Sequence, residues 1–253
     1  MRRRSALLAA AGVVATAAVA LPSIAAGPSH GDIRITSVVV NDGRSLVLGV
    51  NQAMTFPISI TASDDSGISS VGPVGVWGPK YGVLRVSPMR CEQVSATTST
   101  CTGSASVDTS RHQVWNDEAG TWFVDAQAHA VDGDDIRGGN LGGFSLKRSG
   151  KLTSPPPAAT AAKGRPVTLT GWFARASWND GRYFGYGDAL IRLQFRPDGS
   201  DTWTTVKSVE PDISGVLTTT VTPDRSGTYA WYFPGDKWTG PATSPRHHIT
   251  VTG

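Results

Sequence analysis

The sequence predicts an all-β chain built as two tandem β-sandwiches behind a short N-terminal leader, and three observations predict it. The 253 residues contain no long stretch with apolar side chains at helical spacing. Short alternating runs occur instead. Met54, Phe56, Ile58 and Ile60 alternate with Thr55, Pro57, Ser59 and Thr61, and Trp122, Val124, Ala126, Ala128 and Ala130 alternate with Phe123, Asp125, Gln127 and His129. Such a pattern gives a strand one face in a core and one in water. The third observation is punctuation: 29 glycines and 16 prolines separate these runs, and Pro155-Pro156-Pro157 interrupts the chain near its middle.

The elements follow in order. Arg2-Arg3-Arg4, an uncharged apolar run from Ala6 to about Leu21 and the small residues Ser23, Ala25 and Ala26 have the order of a secretory signal peptide over residues 1–26. Either the general or the twin-arginine export route fits it. Seven strands are expected near 33–40, 54–62, 70–78, 82–88, 102–107, 120–130 and 142–148, making a first domain over 28–151. Three prolines stiffen the chain after Lys151 and cannot donate ladder hydrogen bonds. Seven more strands are expected near 154–160, 166–173, 189–196, 202–209, 216–222, 227–233 and 246–252, in a second domain over 152–253. Seven short strands in about 100 residues is the signature of an immunoglobulin-like sandwich.

Composition narrows the setting. The chain is formally +3, but Arg2, Arg3 and Arg4 supply that excess, so beyond the leader 20 basic residues balance 20 acidic ones. No Lys/Arg cluster with interleaved aromatics appears, and nucleic acid is not an expected partner. Cys91 and Cys101 are the two cysteines. In an oxidising compartment they are expected to pair, contributing about 2–3 kcal/mol. No membrane anchor is expected in the processed chain, whose location is then secreted and extracellular.

Two local motifs sharpen the architecture. Asp224-Arg225-Ser226-Gly227-Thr228-Tyr229-Ala230-Trp231 resembles a tyrosine corner, with Tyr229 at the corner and Trp231 where an antibody domain carries its second core cysteine. Ala62-Ser63-Asp64-Asp65-Ser66-Gly67-Ile68 resembles the strand–turn–strand corner of bacterial immunoglobulin-like repeats. With the Cys91/Cys101 pair and the runs Leu193-Gln194-Phe195-Arg196-Pro197 and Thr202-Trp203-Thr204-Thr205-Val206, these make nearly the whole processed chain resemble secreted actinomycete-type proteins with tandem immunoglobulin-like domains. That group is often labelled calcium-binding, so the resemblance implies a Ca²⁺ site to be tested.

No motif of catalysis is found: no Gly-x-Ser-x-Gly elbow, no His-Glu-x-x-His pair and no phosphate loop. The expectation is a protein that is not an enzyme. Asp64 and Asp65 fall in the loop after the second predicted strand, and Asp132, Asp134 and Asp135 in the loop before the last strand of the same domain. In a sandwich of this type both loops lie at one end, so the five carboxylates are candidate Ca²⁺ ligands, with Asn140 as a possible addition. The spacing is not an EF-hand, because Gly143 stands where a bidentate Glu is needed. The other candidate site is aromatic. Trp178, Tyr183, Phe184 and Tyr186, with Trp238 in the last long loop, lie at one end of the second domain, either stacking on sugar rings or packing against the first domain. Three roles are therefore carried forward: a non-catalytic binding or structural module with tip Ca²⁺, a carbohydrate-binding protein, and a protease inhibitor presenting the 91–101 loop. The partner would be an extracellular protein or a polysaccharide.

Overall fold

The computed structural model describes residues 28–253. The expected signal peptide at 1–26 lies outside them. Among the described residues the helices are single 3₁₀ turns, and no helix is long and apolar enough to cross a membrane.

The first sandwich comprises β1 (Ser29–His30), β2 (Arg34–Val40), β3 (Leu46–Leu48), β4 (Ala53–Ser63), β5 (Ile68–Trp77), β6 (Val83–Arg85), β7 (Arg90–Ser95), β8 (Thr98–Asp108), β9 (Gly120–Ala130), β10 (Asp135–Gly138) and β11 (Gly143–Arg148). One sheet runs β2-β4-β8-β7. In the other, β5 pairs with one edge of β9, β10 and β11 share the opposite edge, and β3 runs parallel to β11. This is the A-B-E-D against C-F-G arrangement of an immunoglobulin-type sandwich. The alternation read from sequence is the packing seen. Phe56, Ile58, Ile60 and Ala62 of β4 face Trp122, Val124, Ala126 and Ala128 of β9, all buried in one core.

The second sandwich comprises β12 (Gly150–Thr153), β13 (Thr160–Ala162), β14 (Val167–Ser177), β15 (Arg182–Gly185), β16 (Ile191–Pro197), β17 (Thr204–Val209), β18 (Val216–Val221), β19 (Gly227–Phe233), β20 (Ala242–Thr243) and β21 (His247–Thr252). One sheet has β14 at its centre, flanked by β12 on one side and by β15 and β18 on the other. The second runs β13-β21-β19-β16-β17. Trp231 fills the core position expected of it, 2% exposed, with its indole N–H on the Thr170 carbonyl at 3.2 Å. Tyr229 is buried against the Phe195 ring at 4.6 Å.

The proline run does not separate the two sandwiches. Gly150–Thr153 already pairs with Trp172–Arg175, so the second sheet system begins at Gly150 and only Ser149 stands between β11 and β12. The prolines fill the crossover from β12 to β13, inside the second sandwich, where a segment without ladder bonds is required as the chain changes sheets. The two strands there replace the single strand expected over 154–160.

Candidate functional site

The acidic loops meet at the pole of the first sandwich opposite β12. Asp64-Asp65-Ser66-Gly67 folds as an Asx turn between β4 and β5. Asp64 Oδ1 accepts bonds from the Ser66 backbone N–H at 2.8 Å and the Ser66 hydroxyl at 2.6 Å. Gly67 has φ +93°, and a Cβ there would stand 2.9 Å from the Ala96 carbonyl oxygen. The Asp64 N–H donates to Thr97 O at 2.9 Å, so the turn of the β7–β8 hairpin holds this loop from below. The β9–β10 loop joins from the other side. Asp132 N–H donates to Ser66 Oγ at 3.2 Å, Val131 N–H to Gly67 O at 3.0 Å, and Asp134 N–H to Asp132 Oδ1 at 3.1 Å.

A residue absent from the sequence expectation completes the group. Asp32, just ahead of β2, donates its N–H to Asp134 Oδ2 at 3.0 Å. Asp32, Asp64 and Asp134 present ligand atoms all within 4.8 Å of one another, and Asp64, Asp65 and Asp132 do the same. Asp32 itself is exposed; partial desolvation by its surroundings is the first cause that pushes its carboxyl above the ordinary aspartate range, followed by the charges of Asp65 and Asp64. Among the described residues no Lys or Arg forms an ion pair with these five. Asp64 is 4% exposed and its Oδ2 is buried with no hydrogen-bond partner. A buried, unpartnered carboxylate oxygen among acidic neighbours is costly unless something positive meets it. Oxygen ligands on three loops suit a hard cation.

Asp135 is not part of the group. It begins β10 and faces His30 Nδ1 at 3.3 Å, because the strand alternation turns it away from Asp134. Asn140 is also elsewhere, donating its N–H to Asp125 Oδ1 at 2.8 Å. Asp32 left no motif in the sequence: it is one acid beside a glycine, brought in only by the pairing of β2 with β4 and of β1 with β10.

The aromatic residues are divided among different environments. Trp178 is fully buried in the core of the first sandwich, its indole N–H on the Leu48 carbonyl at 3.2 Å, so it is closed to a ligand. Tyr183 packs partly buried against that same core, and Tyr186 against the core of the second sandwich, with the Arg175 guanidinium 3.7 Å from its ring centre. Phe184 and Trp238 remain exposed, Trp238 at 48%. These loops form the junction. Trp178 N–H donates to Asn116 Oδ1 at 2.8 Å, Asn116 N–H to Asn179 Oδ1 at 2.8 Å, Arg148 N–H to Trp238 O at 2.8 Å and Gly240 N–H to Arg148 O at 2.8 Å. The 91–101 segment is a hairpin with Cys91 bonded to Cys101 directly across the ladder and a turn at Ala96-Thr97.

No protein-family model matches the chain, and no curated protein matches it. Among solved structures, the fibronectin(III)-like modules of Clostridium thermocellum CbhA are 12% identical, with 85% of this chain and 95% of that chain covered and a TM-score of 0.33. The Escherichia coli adhesin FdeC is 16% identical over 90% of this chain and 66% of its own, with a TM-score of 0.32. The superoxide reductase (neelaredoxin) of Ignicoccus hospitalis is 13% identical over 42% of this chain and 82% of its own, also at 0.32. At such scores the likenesses bear on no role. The immunoglobulin-like assignment rests on the strand order above.

Proposed function

We propose that the protein is an exported, non-catalytic binding and structural module whose first sandwich holds Ca²⁺ at its tip. The observation that carries this reading is the buried, unpartnered Oδ2 of Asp64, the residue common to two trios that bring in four further carboxylates. Ca²⁺ accepts six to eight oxygens at 2.3–2.6 Å in adaptable geometry, and water and loop carbonyls complete such a shell. Mg²⁺ demands a tighter octahedron and parts with its water reluctantly. The cation would neutralise the repulsion at the pole and fix three loops at once. The leader, the disulfide and the balanced charge favour a role outside the cell, toward an extracellular protein or polysaccharide.

The test is thermal unfolding in EDTA and then in millimolar Ca²⁺ or Mg²⁺. Ca²⁺ at about 100 times its dissociation constant stabilises by roughly 2.7 kcal/mol, a shift of several degrees. The expected result is a rise with Ca²⁺, a smaller one with Mg²⁺, and none in Asp64→Asn. A wild-type Tm indifferent to Ca²⁺ would remove the reading. Carbohydrate binding is the second reading, favoured by the exposure of Phe184 and Trp238. It expects pull-down on an insoluble polysaccharide that is lost in a Phe184→Ala/Trp238→Ala double variant.

A further inference from the structure

Resting on the Ca²⁺ reading above, we infer that the pole of the first sandwich is a two-ion centre in which Asp64 bridges a first cation, shared with Asp32 and Asp134, and a second one, shared with Asp65 and Asp132.

The geometry separates the two positions. Opposite ligands on one Ca²⁺ stand about 5 Å apart, twice the Ca–O distance. Each trio meets that limit, with ligand atoms within 4.8 Å of one another, whereas the five acids do not form one such set. Asp64 is the member common to both. Its Oδ1 is held by Ser66, and its Oδ2 is the buried atom without a partner. The loop carboxylates repeat this division of labour. Asp132 Oδ1 accepts the Asp134 N–H and Asp134 Oδ2 accepts the Asp32 N–H, which leaves Asp132 Oδ2 and Asp134 Oδ1 to a cation. Each side chain is oriented by one oxygen and can ligate with the other.

Charge leads to the same number. One divalent ion among the five carboxylates leaves three negative charges uncompensated, and a second leaves one. With no Lys or Arg paired to any of them among the described residues, the second ion is the available counter-charge.

The first position also depends on a glycine. Gly31 has φ +78°, and a Cβ on it would lie 1.3 Å from the Asp134 Oδ2 position, inside the carboxylate. Only glycine lets the N-terminal segment pass close enough for Asp32 to join Asp134. The first ion therefore ties residues 28–33 to the β9–β10 loop, while the second joins that loop to the β4–β5 turn.

Calorimetric titration of the purified protein with Ca²⁺ counts the ions. Two per chain are expected in the wild type. One is expected in Asp32→Asn and in Gly31→Ala, which disturb only the first position, and one in an Asp65→Asn/Asp132→Asn variant. Asp64→Asn should bind neither; its circular dichroism spectrum checks that the sandwich is intact. One ion in the wild type, or a normal count of two in both Asp32→Asn and Gly31→Ala, overturns the two-ion centre and leaves the Ca²⁺ reading standing. Zero ions in a folded wild type overturns both.

Discussion

Asp32 carries opposite consequences with and without metal. Its carboxyl is raised above its unfolded value, first by partial desolvation and then by the charges of Asp65 and Asp64. A raised acid adds stability that is complete below the unfolded value and lost as pH rises through the folded one. In EDTA the wild type should therefore lose stability between those two values, and Asp32→Asn should flatten that part of the Tm-against-pH curve. At neutral pH the variant should melt higher than the wild type in EDTA and lower in millimolar Ca²⁺, because the same substitution removes a repulsion in one case and a ligand in the other. A variant that melts lower in both would make Asp32 a structural residue. Asp108 provides the contrast: the Ser110 hydroxyl, its first cause, holds it below the ordinary range, so its contribution is present at neutral pH and lost on acidification.

The β7–β8 hairpin decides whether the acidic turn is positioned. β7 is exposed along its whole length and buries no side chain of its own, so ladder bonds and the Cys91–Cys101 bridge are what hold it. Closing a loop of this size contributes about 3 kcal/mol in the chain-entropy model. Because Thr97 at the hairpin turn accepts the Asp64 N–H, loosening the hairpin also loosens the cation site. Cys91→Ser/Cys101→Ser should lower stability by about 2–4 kcal/mol and weaken Ca²⁺ affinity as well, read by denaturant melts and by titration; unchanged affinity would uncouple the hairpin from the site. This strand also shows what sequence conveys. β4, β9 and β11 were legible because each alternates between core and water. β7 has no buried face to alternate, β3 and β15 are too short to show a period, and the Pro155–Pro157 crossover looks like an interdomain linker because both need chain without ladder bonds. The Asp64 and Asp132–Asp134 loops were legible through topology, which sends both to one pole. Asp32 was not, since its place depends on long-range pairing of the N-terminal segment.

At the scale of the whole molecule, the two sandwiches share a side chain. Trp178 begins the loop after β14 of the second sandwich and lies in the core of the first, together with Ala176. Of the two alternatives the sequence leaves for these aromatics, Trp178 takes packing against the first sandwich: a Trp in a loop reads the same whether the loop meets solvent or a neighbouring core, and the one-residue connection at Ser149 brings that core within reach. The bonds from Trp178 N–H to Asn116 Oδ1 and from Asn116 N–H to Asn179 Oδ1, and the Arg148 guanidinium Nε–H on Ala176 O at 2.6 Å, restrict the joint further. Burial lowers the Arg148 pKa to about 10, which still leaves it charged at neutral pH. Replacing a buried Trp by Ala costs about 3–5 kcal/mol. Here that loss falls on docking and on the first core together. Trp178→Ala is therefore expected to split one calorimetric transition into two and to enlarge the radius of gyration in small-angle scattering. The Ca²⁺ count at the distant pole should stay at its wild-type value, since no cation ligand lies near the joint. If the variant melted as one unit with unchanged dimensions, the asparagine clasp and the Ser149 connection would hold the sandwiches together on their own, and Trp178 would be a core residue without a part in their alignment.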